Sequence, residues 1–587
     1  MLTLDLYGSA YSGRLGEPSF VLPTSTEEQE AWLGRLENLP PLTESVQQDF
    51  LVDYRNILDG LDDANGKSDA YWYSALGSRN TQNSLFYQGL EQLWRLNQQL
   101  AKLGSRNSPL GLVVSDRCMF GPIEALLHAQ GVKIRWQDGF SARRWLDFLR
   151  RPWGAFRYLL TLCDYGRGYG DYGPNGNDVL IVTVSSGEFL QPERTIRDFI
   201  FGEFSSDLAK AACKNLTVVQ LTGQTQPAAG RAHTLPPPPI RTFVDLARLR
   251  DVFSAILRAA AWRPAVGRVE SRLGIDIASL LQQDVKTCRW RDLPTAFLLR
   301  KILGRMLDRN PQAVLVHPFE NNGWEHACQS AVQASGNLTV AFQHNALVPS
   351  AEKIYASRHR PHPNRIVAMG KGAKAMLCDR FGYKEKEVSV GYAMRQSAIY
   401  SHAPKTVPPQ SVSRILVLLQ GTTDSVALLN LLSDTFIDQN KFQVTLRPHP
   451  AIPLPGQLQK SKMAELRQPF RASNKSDLYA DILDHDVAVS AGSTASWEAV
   501  ALGVPVIYVD LGSSVSGNPM FAEPALCRTA HNTKELRDAL ESIAALNKDQ
   551  FKAEAVRARQ HFEGCFSTKT DDAFQRVLAS LQPERKN

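Results

Sequence analysis

Apolar residues along this chain fall into two alternating patterns: short unbroken runs, and longer stretches with a period near 3.6. Runs at residues 110–115, 178–185, 216–221, 313–316, 338–342, 365–369 and 387–391 read as buried strands. Further runs at 414–419, 442–446, 487–490 and 504–509 continue the series, and residues 2–7 and 132–136 add two more strands. Between them the period predicts helices near 82–103, 122–130, 324–334, 371–381, 533–545, 549–561 and 569–581, with helical segments filling 243–308. Buried strands separated by helices predict an α/β protein of doubly wound, Rossmann-like parallel sheets. With 587 residues the chain exceeds one core and predicts two to three domains. Periodicity fades and proline rises over 396–412, so the linker is expected there, between units at 1–395 and 413–587.

Candidate chemistry lies at the ends of these strands. The run 442–446 leads into Arg447-Pro448-His449-Pro450, and the run 487–489 leads into Ser490-Ala491-Gly492-Ser493-Thr494. A helix follows, carrying Glu498 and ending at Gly503. A helix that opens in Gly-Ser-Thr at the carboxyl end of a parallel strand offers N–H groups and a positive dipole end to a phosphate. On that reading Arg447 and His449 face the phosphate, Ser493 and Thr494 donate to it, and Glu498 accepts from ribose hydroxyls. Gln420-Gly421-Thr422-Thr423 closes the first strand of the same unit, where glycine lets backbone approach a ligand.

In the first unit the strand at 313–316 leads to Glu320-Asn321-Asn322, with Glu325 in the helix beyond. The strand at 338–342 ends in Gln343-His344-Asn345. Glu320 suits a general base or a carboxylate nucleophile, with Glu325 as its alternate and His344 as a base or acceptor clamp. Glu325 also reads as a charge favoured by the helix start. Glu188, after the strand at 178–185, is a weaker candidate, and His317-Pro318 precedes no Gly-Ser-Thr turn.

The pairing of Arg447-Pro448-His449-Pro450 with Ser490 to Pro505 resembles the C-terminal domain of GT-B glycosyltransferases of bacterial surface-polysaccharide type. The stretch Glu320-Asn321-Asn322-Gly323-Trp324-Glu325, with Gln343-His344 and Trp72 to Asn80, resembles a family of surface-carbohydrate biosynthesis proteins. The resemblance implies two Rossmann-like domains facing across a cleft. It implies a nucleotide site at Gly421, Thr422, Arg447, His449, Pro450, Ser490, Gly492, Ser493, Thr494 and Glu498, and a last helix that crosses back to the first domain. The implied reaction moves a sugar from a nucleotide donor to a glycan or lipid-linked acceptor in capsule or lipopolysaccharide assembly. The motif is similar to that of transferases using CMP-activated ulosonic acids such as Kdo. An NDP-hexose donor, polyol-phosphate transfer, 2-epimerisation of a nucleotide sugar and a non-catalytic scaffold remain as alternatives.

Lys and Arg total 66 against 59 Asp and Glu, a mild excess that suits anionic substrates or surfaces and calls for no nucleic acid. Eight cysteines stand singly, without metal-ligand spacing, and no Asp-x-Asp sits at a strand end, so neither metal nor other cofactor is expected. The first residues carry no basic region followed by an apolar run, and a cytoplasmic location is expected. Residues 143–160 interleave arginines with Trp, Phe and Leu at helical spacing, which fits a helix pair packing its aromatic face on the domain with arginines to water, or an anionic membrane surface.

Overall fold

Three parallel sheets carry the chain in the computed structural model. The structure describes residues 3–8, 19–22, 37–39, 42–79, 81, 84–103, 110–114, 117–137, 178–185, 198, 200–221, 240–242, 246–348, 351–420, 424–437, 439–449, 452, 454–475, 477–512 and 516–582. Glu188 and residues 143–160, singled out above, lie outside these.

The first sheet holds β1 (Thr3–Gly8), β2 (Ser19–Leu22), β3 (Glu37–Asn38), β4 (Leu110–Val114) and β5 (Lys133–Gln137), in the order β3-β2-β4-β1-β5. The second holds β6 (Val179–Ser185), β7 (Asn215–Leu221), β8 (Ile240–Thr242), β9 (Val314–Pro318), β10 (Leu338–Phe342), β11 (Arg365–Ala368) and β12 (Val388–Val390). Its order is β12-β11-β10-β9-β6-β7-β8. The third holds β13 (Arg414–Leu418), β14 (Gln443–Arg447), β15 (Phe470–Ala472), β16 (Val487–Ser490), β17 (Val506–Val509) and β18 (Cys527–Ala530). Its order is β15-β14-β13-β16-β17-β18.

The second and third sheets are the two Rossmann-like units, and each reverses direction after its third strand. A crevice opens where the order reverses, between β6 and β9 and between β13 and β16, and ligands of doubly wound sheets bind there beyond the carboxyl ends. The five-stranded sheet was not legible as a separate layer, because its strands are short and lie far apart in the chain.

The two units share apolar contacts. Met369, Ala393 and Ile399 of the first pack in one cluster with Leu416, Trp497 and Phe562 of the second. Helix Lys548–Cys565 contacts both helix Ala495–Ala501 and helix Lys371–Asp379. The last helix, Asp571–Ser580, packs on β11 and β12. There Ala573 and Val577 join the cluster of Val367 and Tyr392. Arg365 Nη1 donates to the carbonyls of Ser580 and Gln582 at 2.9 and 2.8 Å, a cation at the negative end of the helix. No described helix is long and apolar enough to cross a membrane.

Candidate active site

Strand register builds the first half of the site. Pro318 of β9 lies opposite Phe342 of β10, so the residues two further along, Glu320 and His344, meet beyond the sheet edge. His344 Nε2 stands 3.5 Å from Glu320 Oε1. Asn345 Nδ2 donates to the same oxygen, and Asn322 Nδ2 donates to Oε2 at 3.0 Å. The Glu320 side chain keeps 26% of its surface exposed.

Glu325 is fully buried and holds this loop from behind. Its Oε2 accepts the backbone N–H groups of Glu320 and Asn321 at 2.9 and 2.8 Å, and Oε1 accepts from Asn322 Nδ2 at 3.0 Å. Asn321 adopts a left-handed φ of 57°, which Asn tolerates, and its Nδ2 donates to Lys353 O at 2.7 Å. Gly323 lets the following helix press on the aromatic stretch, since a Cβ there would sit 2.1 Å from Tyr73 O. Arg79, in that stretch, is wholly buried and paired with Asp59 and Asp62 at 2.6 and 2.7 Å, a structural role.

Electrostatics separate the two carboxyls. Burial alone would raise the Glu320 pKa, but Lys353, then His344, Asn322 and Arg395, bring it down to about 2. Burial, and then the Glu320 charge, push Glu325 up to about 8. Burial lowers His344 to about 4 against the pull of Glu320. At neutral pH the edge therefore presents an ionised carboxylate beside a neutral imidazole; a carboxylate held this low is a weak base, and its charge suits a nucleophile or an electrostatic stabiliser better. Glu325 has no surface to offer a substrate and acts through the loop it holds.

The second half stands at the other switch point. Leu418 of β13 pairs with Arg447 of β14, and Val417 with Val489 of β16, which brings Gln420, His449 and the turn 490–494 to one edge. Two expectations for this edge change. Arg447, expected to face a phosphate, turns Nη1 to Asp481 at 2.8 Å and to Lys475 O at 3.1 Å. Its charge is spent on a carboxylate that is only 2% exposed. The N–H groups of Gly492 and Ser493, expected as ligand donors, already donate to Ser490 Oγ at 3.1 and 2.8 Å. Ser490 is itself wholly buried, so its hydroxyl closes the turn from inside.

Gly492, at φ 124°, allows Gln420 to approach, since a Cβ there would lie 2.7 Å from Gln420 Nε2. Ser493 and Thr494 remain half-buried at the turn, and Glu498 is 4% exposed in the first turn of helix Ala495–Ala501. His449 is half-buried, with its pKa lowered by burial and by Arg395. Gly421, Thr422 and Pro450 lie outside the described residues. Among the described residues no group of three His, Cys, Asp or Glu is placed to hold a metal ion.

Two cations were missed in the sequence. Arg395 acts on Glu320 and His344 of one edge and on His449 of the other, so both edges share its field. Lys353 acts on Glu320, Glu325 and His344. Lys353 stands in the single 3-10 turn Glu352–Ile354 and Arg395 in the turn before Gln396–Ser401, segments too short to show periodicity. The signal for Arg395 was its place just past the end of β12, on the same carboxyl edge as Glu320.

Fold and site together define an α/β protein with two doubly wound units, each carrying polar groups at the carboxyl edge of its switch point. No protein-family model and no curated protein matches the chain. Solved structures that align with it include a UDP-N-acetylglucosamine 2-epimerase, described as putative, from Listeria monocytogenes. That alignment has 10% identity and a TM-score of 0.42, and covers 70% of this chain and 99% of that one. The calicheamicin glycosyltransferase CalG4 aligns at 11% identity and TM-score 0.39, over 69% of this chain and 98% of its own. The glycotransferase of kitacinnamycin aligns at 13% identity and TM-score 0.41, over 70% and 100%.

Proposed function

We propose that the protein is a nucleotide-sugar glycosyltransferase of GT-B type. The observation that carries this reading is a polar edge at each switch point, one with Glu320 3.5 Å from His344, the other with the Ser490–Thr494 turn and His449 brought together by the strand register. In this reading the second unit holds the donor nucleotide through His449, Ser493 and Thr494. Glu320 deprotonates the acceptor hydroxyl, or attacks the anomeric carbon, while Glu325 fixes the loop that aims it. In this reading the hydroxyls of Ser493 and Thr494, at the half-buried turn, serve the departing phosphate and no metal is called for.

The donor is a CMP-activated ulosonic acid such as Kdo. The motif pairing supports this, and Lys353 and Arg395 supply positive charge for the extra carboxylate of such a sugar. The acceptor is a growing capsule or lipopolysaccharide glycan, reached by a protein lying at the inner face of the membrane through residues 143–160. Titration of CMP, CDP, UDP and GDP into the protein tests the reading, with CMP expected to bind most tightly. Preference for UDP would move the donor to an NDP-hexose. Turnover of a UDP-sugar without any acceptor would replace transfer by epimerisation.

A further inference from the structure

A cavity of about 360 Å³ lies on the second unit, at the end of its sheet opposite the candidate active site. Arg414, Asp486 and Pro505 line it. Arg414 is the first residue of β13, and the other two directly precede β16 and β17. These strands run parallel, so the cavity sits at their amino ends while the turn 490–494 stands at the carboxyl end of β16. Its other wall is the linker, which brings Lys405, Val407 and Pro409. The linker is anchored at both ends of this stretch. Lys405 N–H donates to Leu502 O at 2.9 Å, and Ser413 N–H donates to Asp486 Oδ2 at 3.1 Å.

The charged groups of the wall leave donors free rather than acceptors. Asp486 is 7% exposed and its carboxylate is taken up. Its Oδ2 also accepts from Arg414 N–H at 2.8 Å and the Ser413 hydroxyl at 3.3 Å, and its Oδ1 accepts from Arg414 Nη2 at 2.8 Å. The Arg414 side chain is 48% exposed, and among the described residues only Nη2 of its fork is engaged. Lys405 is half-buried, and its Nζ donates to a carbonyl, His485 O, at 2.7 Å. Burial lowers its pKa, with Asp486 pulling the other way. The ammonium has three N–H donors and the guanidinium five, so both cations keep donors for an occupant.

We propose that this cavity binds a small phosphate monoester, with its phosphate on Lys405 and Arg414 and its apolar body against Val407, Pro409 and Pro505. Linker residues form one wall, so an occupant fixes the path of the chain between the two units. The site lies away from the active edges and does not rest on the transferase reading. The probe is phenyl phosphate, titrated into the full chain by calorimetry, with phenol as the uncharged arm. Phenyl phosphate is expected to bind one to one and to slow amide exchange over 405–412. Phenol should bind at least about tenfold more weakly. Lys405→Met should lower affinity for phenyl phosphate at least about tenfold, and Lys405→Arg should restore most of it. Val407→Trp leaves both cations in place and fills the opening, so it should abolish binding. Unchanged thermal midpoints would show that these variants fold. His449→Ala with Ser493→Ala strips the opposite edge of its phosphate groups and should leave this binding unchanged. A native protein that does not bind phenyl phosphate overturns the proposal. So does equal affinity for phenol, normal binding in Lys405→Met, or loss of binding in the His449 and Ser493 pair, which would place the phosphate at the opposite edge.

Discussion

At the edge of the seven-stranded sheet, Glu320 keeps a quarter of its surface and its charge open, while a fully buried second carboxyl holds its loop in place. At the edge of the six-stranded sheet, Arg447 is tied to a buried aspartate and the N–H groups of Gly492 and Ser493 are closed by a serine hydroxyl. The first edge keeps an unshielded charge and needs several partners to hold it. The second satisfies itself and leaves a shaped, weakly charged surface. On the proposed reading, reactive groups concentrate on one unit and recognition on the other.

Protonation should separate the edges most strongly. Burial lowers His317, His326 and His344 to about 4, 3 and 4. An imidazole whose folded pKa lies below the usual 6.5 binds its proton more readily when unfolded. The stability it lends is whole above about pH 6.5 and is lost as the pH falls towards 4. Glu325, raised to about 8, works the other way: its contribution is whole below 4.5 and is lost as the pH rises to about 8. Three imidazoles outweigh one carboxyl on the acid side, so amide protection in helix Gly323–Ser335 should peak near neutrality and fall on both sides. Glu325→Gln should remove the alkaline fall and steepen the acid one. Hydrogen exchange across that pH range checks both limbs, and a flat profile would end the account.

Arg447→Ala comes next. It strands the Asp481 carboxylate in the interior and should cost about 3 kcal/mol of stability in denaturant unfolding. Unchanged stability with lost nucleotide affinity would instead return Arg447 to the phosphate. Glu320→Gln keeps the side-chain size and should lower transfer at least about a hundredfold while leaving nucleotide affinity intact. Wild-type turnover in that variant would move the chemistry away from Glu320. The smallest effects are expected at the recognition edge. His449→Ala and Ser493→Ala should each weaken nucleotide binding by about 1–2 kcal/mol in calorimetry, with turnover at saturating donor little changed.

The strand ends that form both edges were legible because buried parallel strands leave unbroken apolar runs, and their polar ends stand out against them. Leu446 to His449 and Phe342 to Asn345 are such endings. The fate of a polar group was not legible. Nothing in the spacing of Ser490 and Gly492 says that the hydroxyl takes the amides, because that depends on how deeply the turn is buried. Asp481 lies 34 residues beyond Arg447, and only tertiary packing brings the two together. Glu325 shows the reverse case: its place one turn into a helix fitted a simple dipole charge, yet its partners are the amides of the preceding loop.

Helix Asp571–Ser580 has a consequence for biogenesis. Strands β11 and β12 emerge from the ribosome long before the helix that covers them, and the whole second unit is made in between. The apolar surface of Val367 and Tyr392 stays open through that interval and closes only when Ala573 and Val577 arrive. Assembly of the first unit is therefore tied to completion of the second, and a nascent chain stalled before residue 571 leaves that apolar surface without its cover.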